Sequence, residues 1–232
     1  MNIPLSKRLQ VCAGFVAPGD RIADIGCDHG YLSIYLLKNG IAASAIAADI
    51  NEMPLQSARR NAARFSVAEK IRFYLSDGAA SIPREFDTMI CAGMGADTMI
   101  SILEGAQWLR DKKYRLILQC QSKTQELRRY LSDKGWYIRE ESVLKDGRFL
   151  YTVMNVIWDP EKPRLTVGGC YFSPALLSAK DPEVSAYYQQ VCFRLNRAVS
   201  GQGDGADPAM VQALTELMTY PTWLKEEKHD NC

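Results

Sequence analysis

The sequence is poor in what several function classes require. Only two histidines occur in 232 residues, His29 and His229, and the second sits in a charged tail. Histidine-based metal sites and Ser-His-Asp triads therefore have almost no material, and no metal is expected. None of the seven cysteines (positions 12, 27, 91, 120, 170, 192 and 232) forms a C-x-x-C pair. That argues against a zinc knuckle, and the odd count argues against a disulfide ladder. Cys91 and Cys120 lie in apolar runs, where cysteine acts as a small hydrophobe, so a reduced, cytoplasmic protein is expected. No apolar run nears the roughly 18 residues that cross a bilayer. Residues 1–10 lack the apolar core of a signal peptide, and no membrane is expected as a partner. A surplus of one charge is also missing: 28 Lys+Arg against 27 Asp+Glu leaves +1. This excludes a globally basic nucleic-acid coat protein but leaves room for a local basic patch.

What is present is a chain 47% hydrophobic and 24% charged, enough for one domain with an appendage or two small ones. Apolar spacing predicts a short helix over 4–16, ended by Pro18-Gly19-Asp20. An alternation follows: strands at 21–24, 43–49, 71–75, 87–92 and 115–120, and helices at 31–38, 55–65, 98–103 and 124–134. Two longer strands, 136–144 and 149–158, flank Asp146-Gly147, a hairpin signal. Strand–helix alternation with short apolar strands implies a parallel sheet covered on both faces. By analogy, a terminal antiparallel hairpin on such a sheet describes a Rossmann-like, seven-stranded class I methyltransferase. After Trp158 the residues Pro160, Pro163, Gly168 and Gly169 read as a linker. Helices at 181–200 and 208–218, around a flexible GQGDG turn, read as an antiparallel helical hairpin. The expected division is 1–160 for the sheet domain and 161–232 for a small helical, coiled-coil-like appendage.

Chemistry gathers at the strand ends. The first strand exits into Asp24-Ile25-Gly26-Cys27-Asp28-His29-Gly30, a D-x-G-x-D-x-G string that lacks the G-x-G-x-x-G of dinucleotide enzymes. A carboxylate at Asp28 would repel a pyrophosphate, yet it suits S-adenosyl-L-methionine, which carries a sulfonium and an ammonium group. Gly26 would let backbone approach that ligand. Asp28 could equally cap the next helix, and His29 could be a plain loop residue. The second strand ends at Asp49, placed to bind ribose hydroxyls, and the third at Asp77-Gly78; each could be a turn residue. Cys91-Ala92-Gly93-Met94-Gly95 leaves room for a ligand after strand four, or makes a tight turn. Gln119-Cys120-Gln121 supplies amides at the same edge. Basic residues flank these elements, Lys123 and Arg128 among them. Residues 1–160 hold 21 basic and 18 acidic side chains, against 7 and 9 in 161–232. Phosphate contacts are therefore expected mainly from the first part.

Taken in order, these strings resemble the bacterial tRNA (adenine-22 N1)-methyltransferase family over roughly residues 3–180. The resemblance is carried by Leu5-Ser6-Lys7-Arg8-Leu9, Asp24 through Leu32, Ala48-Asp49-Ile50-Asn51 with Pro54-Leu55, and Ser76-Asp77-Gly78. It continues through Ala92-Gly93-Met94-Gly95, Leu116-Ile117-Leu118-Gln119, Gly135-Trp136, Glu140-Glu141, Tyr151 and Ser173-Pro174-Ala175-Leu176-Leu177. This chain departs from the family at Ala96, where GMGG is usual, and at Cys120, where LQP is usual. Its second helical region is shorter and net negative. The resemblance implies S-adenosyl-L-methionine as donor, a tRNA adenosine as acceptor and S-adenosyl-L-homocysteine as product. It implies cofactor contacts from Asp24, Gly26, Cys27, Asp49, Ile50, Asn51, Asp77, Gly78, Ala92, Gly93, Met94 and Gly95. Asp28, His29, Tyr31 and Gln119 are the catalytic candidates, and Arg8, Lys123 and Arg128 the tRNA-binding ones. A monomer or weak homo-oligomer is expected. The alternatives are methyl transfer to another RNA position or a small molecule, and a nucleotide-binding module without chemistry.

Overall fold

The structure is a computed structural model that describes residues 3–178, 181–202 and 205–225. Expectations placed on residues 1–2, on Gly203-Asp204 of the GQGDG turn, and on His229 and Cys232 lie outside the described residues. Seven strands form one sheet: β1 (Asp20–Ile25), β2 (Ala42–Asp49), β3 (Ile71–Leu75), β4 (Thr88–Met94), β5 (Arg115–Cys120), β6 (Trp136–Asp146) and β7 (Phe149–Trp158). Their order is β3-β2-β1-β4-β5-β7-β6. β1 to β5 pair in parallel, and β7 runs antiparallel to both β5 and β6. The chain winds outward from β1 to β3, then returns to β4 on the other side of β1. A crevice opens at such a reversal, outside the carboxyl ends of the strands.

Side chains alternate across the pleat. Ile22, Ile90 and Ile117 enter one core with α1 (Lys7–Gly14), α2 (Tyr31–Lys38) and α3 (Glu52–Arg64). Ala23, Met89, Cys91, Leu116 and Leu118 enter the other with α4 (Ala96–Gly105) and α5 (Thr124–Asp133). Burial on both faces is why these strands read as apolar runs. α1 is shorter than its spacing predicts, because Ser6 caps it by accepting the Leu9 N–H at 3.5 Å. β4 continues past 92 through an irregularity between Ala92 and Met94, where Gly93 takes φ +82°.

The stretch from 160 to 166 has no regular structure and is mostly exposed, whereas Gly168 and Gly169 are helical and packed. It leads into α6 (Val167–Tyr171), where Gly168, Gly169 and Cys170 are buried. Gly168 donates its N–H to Glu216 at 2.7 Å, and a Cβ there would lie 2.8 Å from Glu216 Cβ. The glycine serves close helix contact rather than flexibility. α7 (Pro182–Gln202) and α8 (Pro208–Met218) complete the hairpin. Asp181 accepts the Glu183 N–H at 2.8 Å, as its capping position predicts. Gly201 and Gln202 are the last helical residues of α7 rather than part of a turn. The hairpin shares a third core with Phe172, Leu176 and Val143 of β6.

Candidate active site

A cavity of about 340 Å³ opens at the chain reversal between β1 and β4. The β1–α2 loop forms its floor. Gly26 and Cys27 both donate N–H to Ala48 O, at 2.8 and 3.0 Å, which pins the loop to the end of β2. Asp28 donates its N–H to Asp49 Oδ2 at 3.2 Å, and Asn51 donates to Asp49 Oδ1 at 3.0 Å. Gly26, Asp28 and Gly30 all have left-handed backbones, with φ +71°, +50° and +72°. For Asp28 that conformation is strained, and such strain concentrates at functional sites. Asp28 does not cap α2: Gly30 is the N-cap and makes no side-chain bond. The Asp28 carboxylate instead lines the cavity with His29 and Tyr31, its Oδ1 3.6 Å from His29 Nε2. The His29 and Tyr31 rings lie 5.9 Å apart, and Asn61 holds the loop by donating to His29 O at 3.0 Å.

Asp24 is the most buried charged residue that lines the cavity, at 4% exposure. Its Oδ2 accepts from Ser33 Oγ at 2.8 Å, and among the described residues no cationic side chain pairs with it. Burial, with a further contribution from the Asp49 charge, raises its pKa to about 6 against the restraining Ser33 hydrogen bond. The Cys12, Cys27 and Cys91 thiols are also pushed up, by burial first and by the Asp24 charge next. They stay neutral, and the acidic and basic side chains that line the cavity are Asp24, Asp28, Arg8 and His29. A buried acid without a counter-cation suits a cationic ligand.

Of the residues singled out in the sequence, Arg8, Asp24, Gly26, Cys27, Asp28, His29, Tyr31, Ala92, Gly93 and Met94 all line this one cavity. Asp49 braces the loop from behind. Ile50 is an exposed apolar side chain just past Asp49, available to a flat ring. Asn51 caps α3. Asp77 is exposed beyond the end of β3, and Gly78 packs on Ile102 with φ +55°. Gly95 caps α4 against Ser122. Lys123 is exposed and pairs with Asp97 at 2.7 Å.

Two placements correct the expectation. Gln119 is fully buried, and its Oε1 already accepts from Gly93 N–H at 3.0 Å and Arg8 at 3.2 Å. It shapes the wall, while Gln121 reaches the cavity. Arg128 cannot meet a phosphate. Its side chain is wholly buried, 2.7 Å from the equally buried Glu141, and it also donates to Cys170 O, Tyr171 O and the Tyr187 hydroxyl. It ties α5 and β6 to the C-terminal helices. Ser33 and Leu9 were not foreseen; a lone serine inside the apolar string YLSIYLL was the available signal for Ser33.

A doubly covered sheet, reversed between β1 and β4, closed by an antiparallel strand pair and lined by acids instead of a phosphate loop, is that of a class I methyltransferase. A family model described as "Methyltransferase domain" matches residues 5–154. The tRNA (adenine(22)-N(1))-methyltransferase of Bacillus subtilis is 34% identical over 154 residues, 66% of this chain and 65% of that enzyme. The chain thus aligns with just under two thirds of that relative's length. The crystal structure of the B. subtilis m1A22 tRNA methyltransferase aligns over 97% of this chain and 98% of its own at TM-score 0.77 and 29% identity. A Streptococcus pneumoniae structure in complex with S-adenosyl-L-methionine aligns over 93% and 98% at TM-score 0.80 and 30% identity. The chain belongs to the tRNA (adenine-22 N1)-methyltransferase family.

Proposed function

We propose that this protein transfers a methyl group from S-adenosyl-L-methionine to N1 of adenosine 22 in tRNA. The observation that carries the reading is one cavity with a buried carboxylate, Asp24, that no cation among the described residues pairs with, and with Asp28, His29 and Tyr31 along its wall. The donor, when bound, supplies an electrophilic methyl group on a cationic sulfur. Its fit rests on the buried acid and on the Gly26–Gly30 loop, which keeps bulk away from the cavity floor. Asp24, Gly26, Asp49 and the exposed Ile50 are the residues assigned to hold it, with Asp77 and Met94 beside them.

N1 of adenine has a free lone pair at neutral pH, so no residue must first remove a proton. The protein has to take the base out of its stack, exclude water, and hold N1 about 3 Å from the methyl group. Methylation leaves the base cationic. The Asp28 carboxylate offsets that charge as it develops, and His29 and Tyr31 hold the ring. Arg8, fixed between Gln119 and Asp146, and the exposed Lys123 are assigned to the RNA backbone. Residues 161–232 serve as a helical appendage to the catalytic part. No helix among the described residues is long and apolar enough to cross a membrane. Acting on tRNA is consistent with a cytoplasmic location, and a monomer or weak homo-oligomer is part of the proposal.

Transfer of labelled methyl to two tRNA transcripts tests this. The transcript with adenosine 22 is expected to be labelled and the one carrying guanosine there is not. Equal labelling of both would move the target to another position.

A further inference from the structure

A second cavity, about 260 Å³, lies between the edge of the sheet and the C-terminal hairpin, and Gln121 lines both it and the first. Thr152 of β7 forms part of its wall. That residue is 1% exposed, and its hydroxyl has no hydrogen-bond partner among the described residues. A buried hydroxyl left unpaired is costly unless something that enters the cavity pairs with it. One side is aromatic and apolar: Tyr151, Tyr171, Tyr187, Val191 and Leu195. The other carries Gln121, Ser122, Thr124 and Gln125 at the start of α5, whose N-cap Lys123 has a left-handed backbone and makes no side-chain cap bond. Lys123 and Arg194 add cationic charge, and Arg194 donates to Gln190 of its own helix. Aromatic faces beside amides and hydroxyls, with cations close by, are the chemistry that holds a nucleobase and its phosphate.

We propose that this cavity receives a base adjacent to the target adenosine in the RNA, so that two neighbouring nucleotides are gripped at once. The inference rests on the RNA-methylating reading above. Because one residue lines both cavities, the two bases must be near neighbours in the strand. Tyr151 lines this cavity, and the guanidinium of Arg8, which lines the first, is 5.8 Å from its ring centroid.

The test uses the full chain, tRNA transcripts, and transcripts made abasic at each nucleotide flanking the target. Thr152→Val removes the unpaired hydroxyl without losing a protein contact, and Ala198→Phe fills the cavity from α7. Thr152→Val is expected to raise the KM for tRNA about three- to tenfold, with kcat and donor affinity kept and the thermal stability of the RNA-free protein kept or raised. In the wild type one abasic transcript should show the same loss, and that loss should vanish in Ala198→Phe, as coupled contacts require. Wild-type KM for tRNA in Thr152→Val, or abasic and variant effects that simply add, would overturn the proposal. A wild-type protein that binds donor yet methylates no tRNA would instead overturn the functional reading, and the proposal with it.

Discussion

Two carboxylates of the site have opposite surroundings, and their chemistry differs accordingly. Asp24 is buried, and its pKa is raised from 3.8 to about 6. The folded, ligand-free protein therefore keeps a proton there that the unfolded chain releases at lower pH. The cost of ionising it is absent below about pH 4 and complete above about pH 6. Asp24→Asn should stabilise the ligand-free protein at pH 8 by up to about 3 kcal/mol and give no gain near pH 4; urea unfolding at both values measures this. The same proton should weaken donor binding as pH falls through 6, and calorimetry on Asp24→Asn should show weaker binding with that dependence gone. Asp28 is exposed and strained. Asp28→Asn is expected to lower kcat about 100-fold with little change in donor affinity; an unchanged kcat would remove it from the chemistry. Both acids were legible in the sequence because strand ends in a parallel sheet share one edge. The choice of Gln121 over Gln119 was not legible, since it depends on the irregularity of β4 and on Arg8, 111 residues away.

Among the elements, α5 shows where local pattern misleads. Arg128 reads as a tRNA contact, yet it turns inward because α6 and β6 cover that side with Glu141 and two carbonyl groups. Removing one partner strands a buried charge, so Arg128→Ala should cost about 3–5 kcal/mol in denaturant unfolding. The double replacement Arg128→Met with Glu141→Leu should recover most of that loss and leave the salt dependence of tRNA binding unchanged. The strand–helix alternation itself was readable, because periods of 2 and 3.6 are local properties. Gly168 is the complementary case: it reads as linker in isolation, and only the approach of α8 reveals it as a contact.

At the scale of the whole molecule, near-neutral net charge means that RNA affinity must come from placed cations rather than a general field. KM for tRNA should rise steeply with salt while donor affinity barely changes. Lys123→Gln should reduce the slope of that dependence by about one. The fold supplies the rest: the reversal between β1 and β4 creates the crevice, the end of β1 sets Asp24 in it, and the loop from Gly26 to Gly30 adds Asp28. A crystal structure of the protein grown with S-adenosyl-L-methionine tests this most directly. The donor should occupy the crevice, its cationic end against Asp24 and its ribose toward Asp49. A donor seated away from that crevice, or a crevice left empty at saturating donor, would contradict the account.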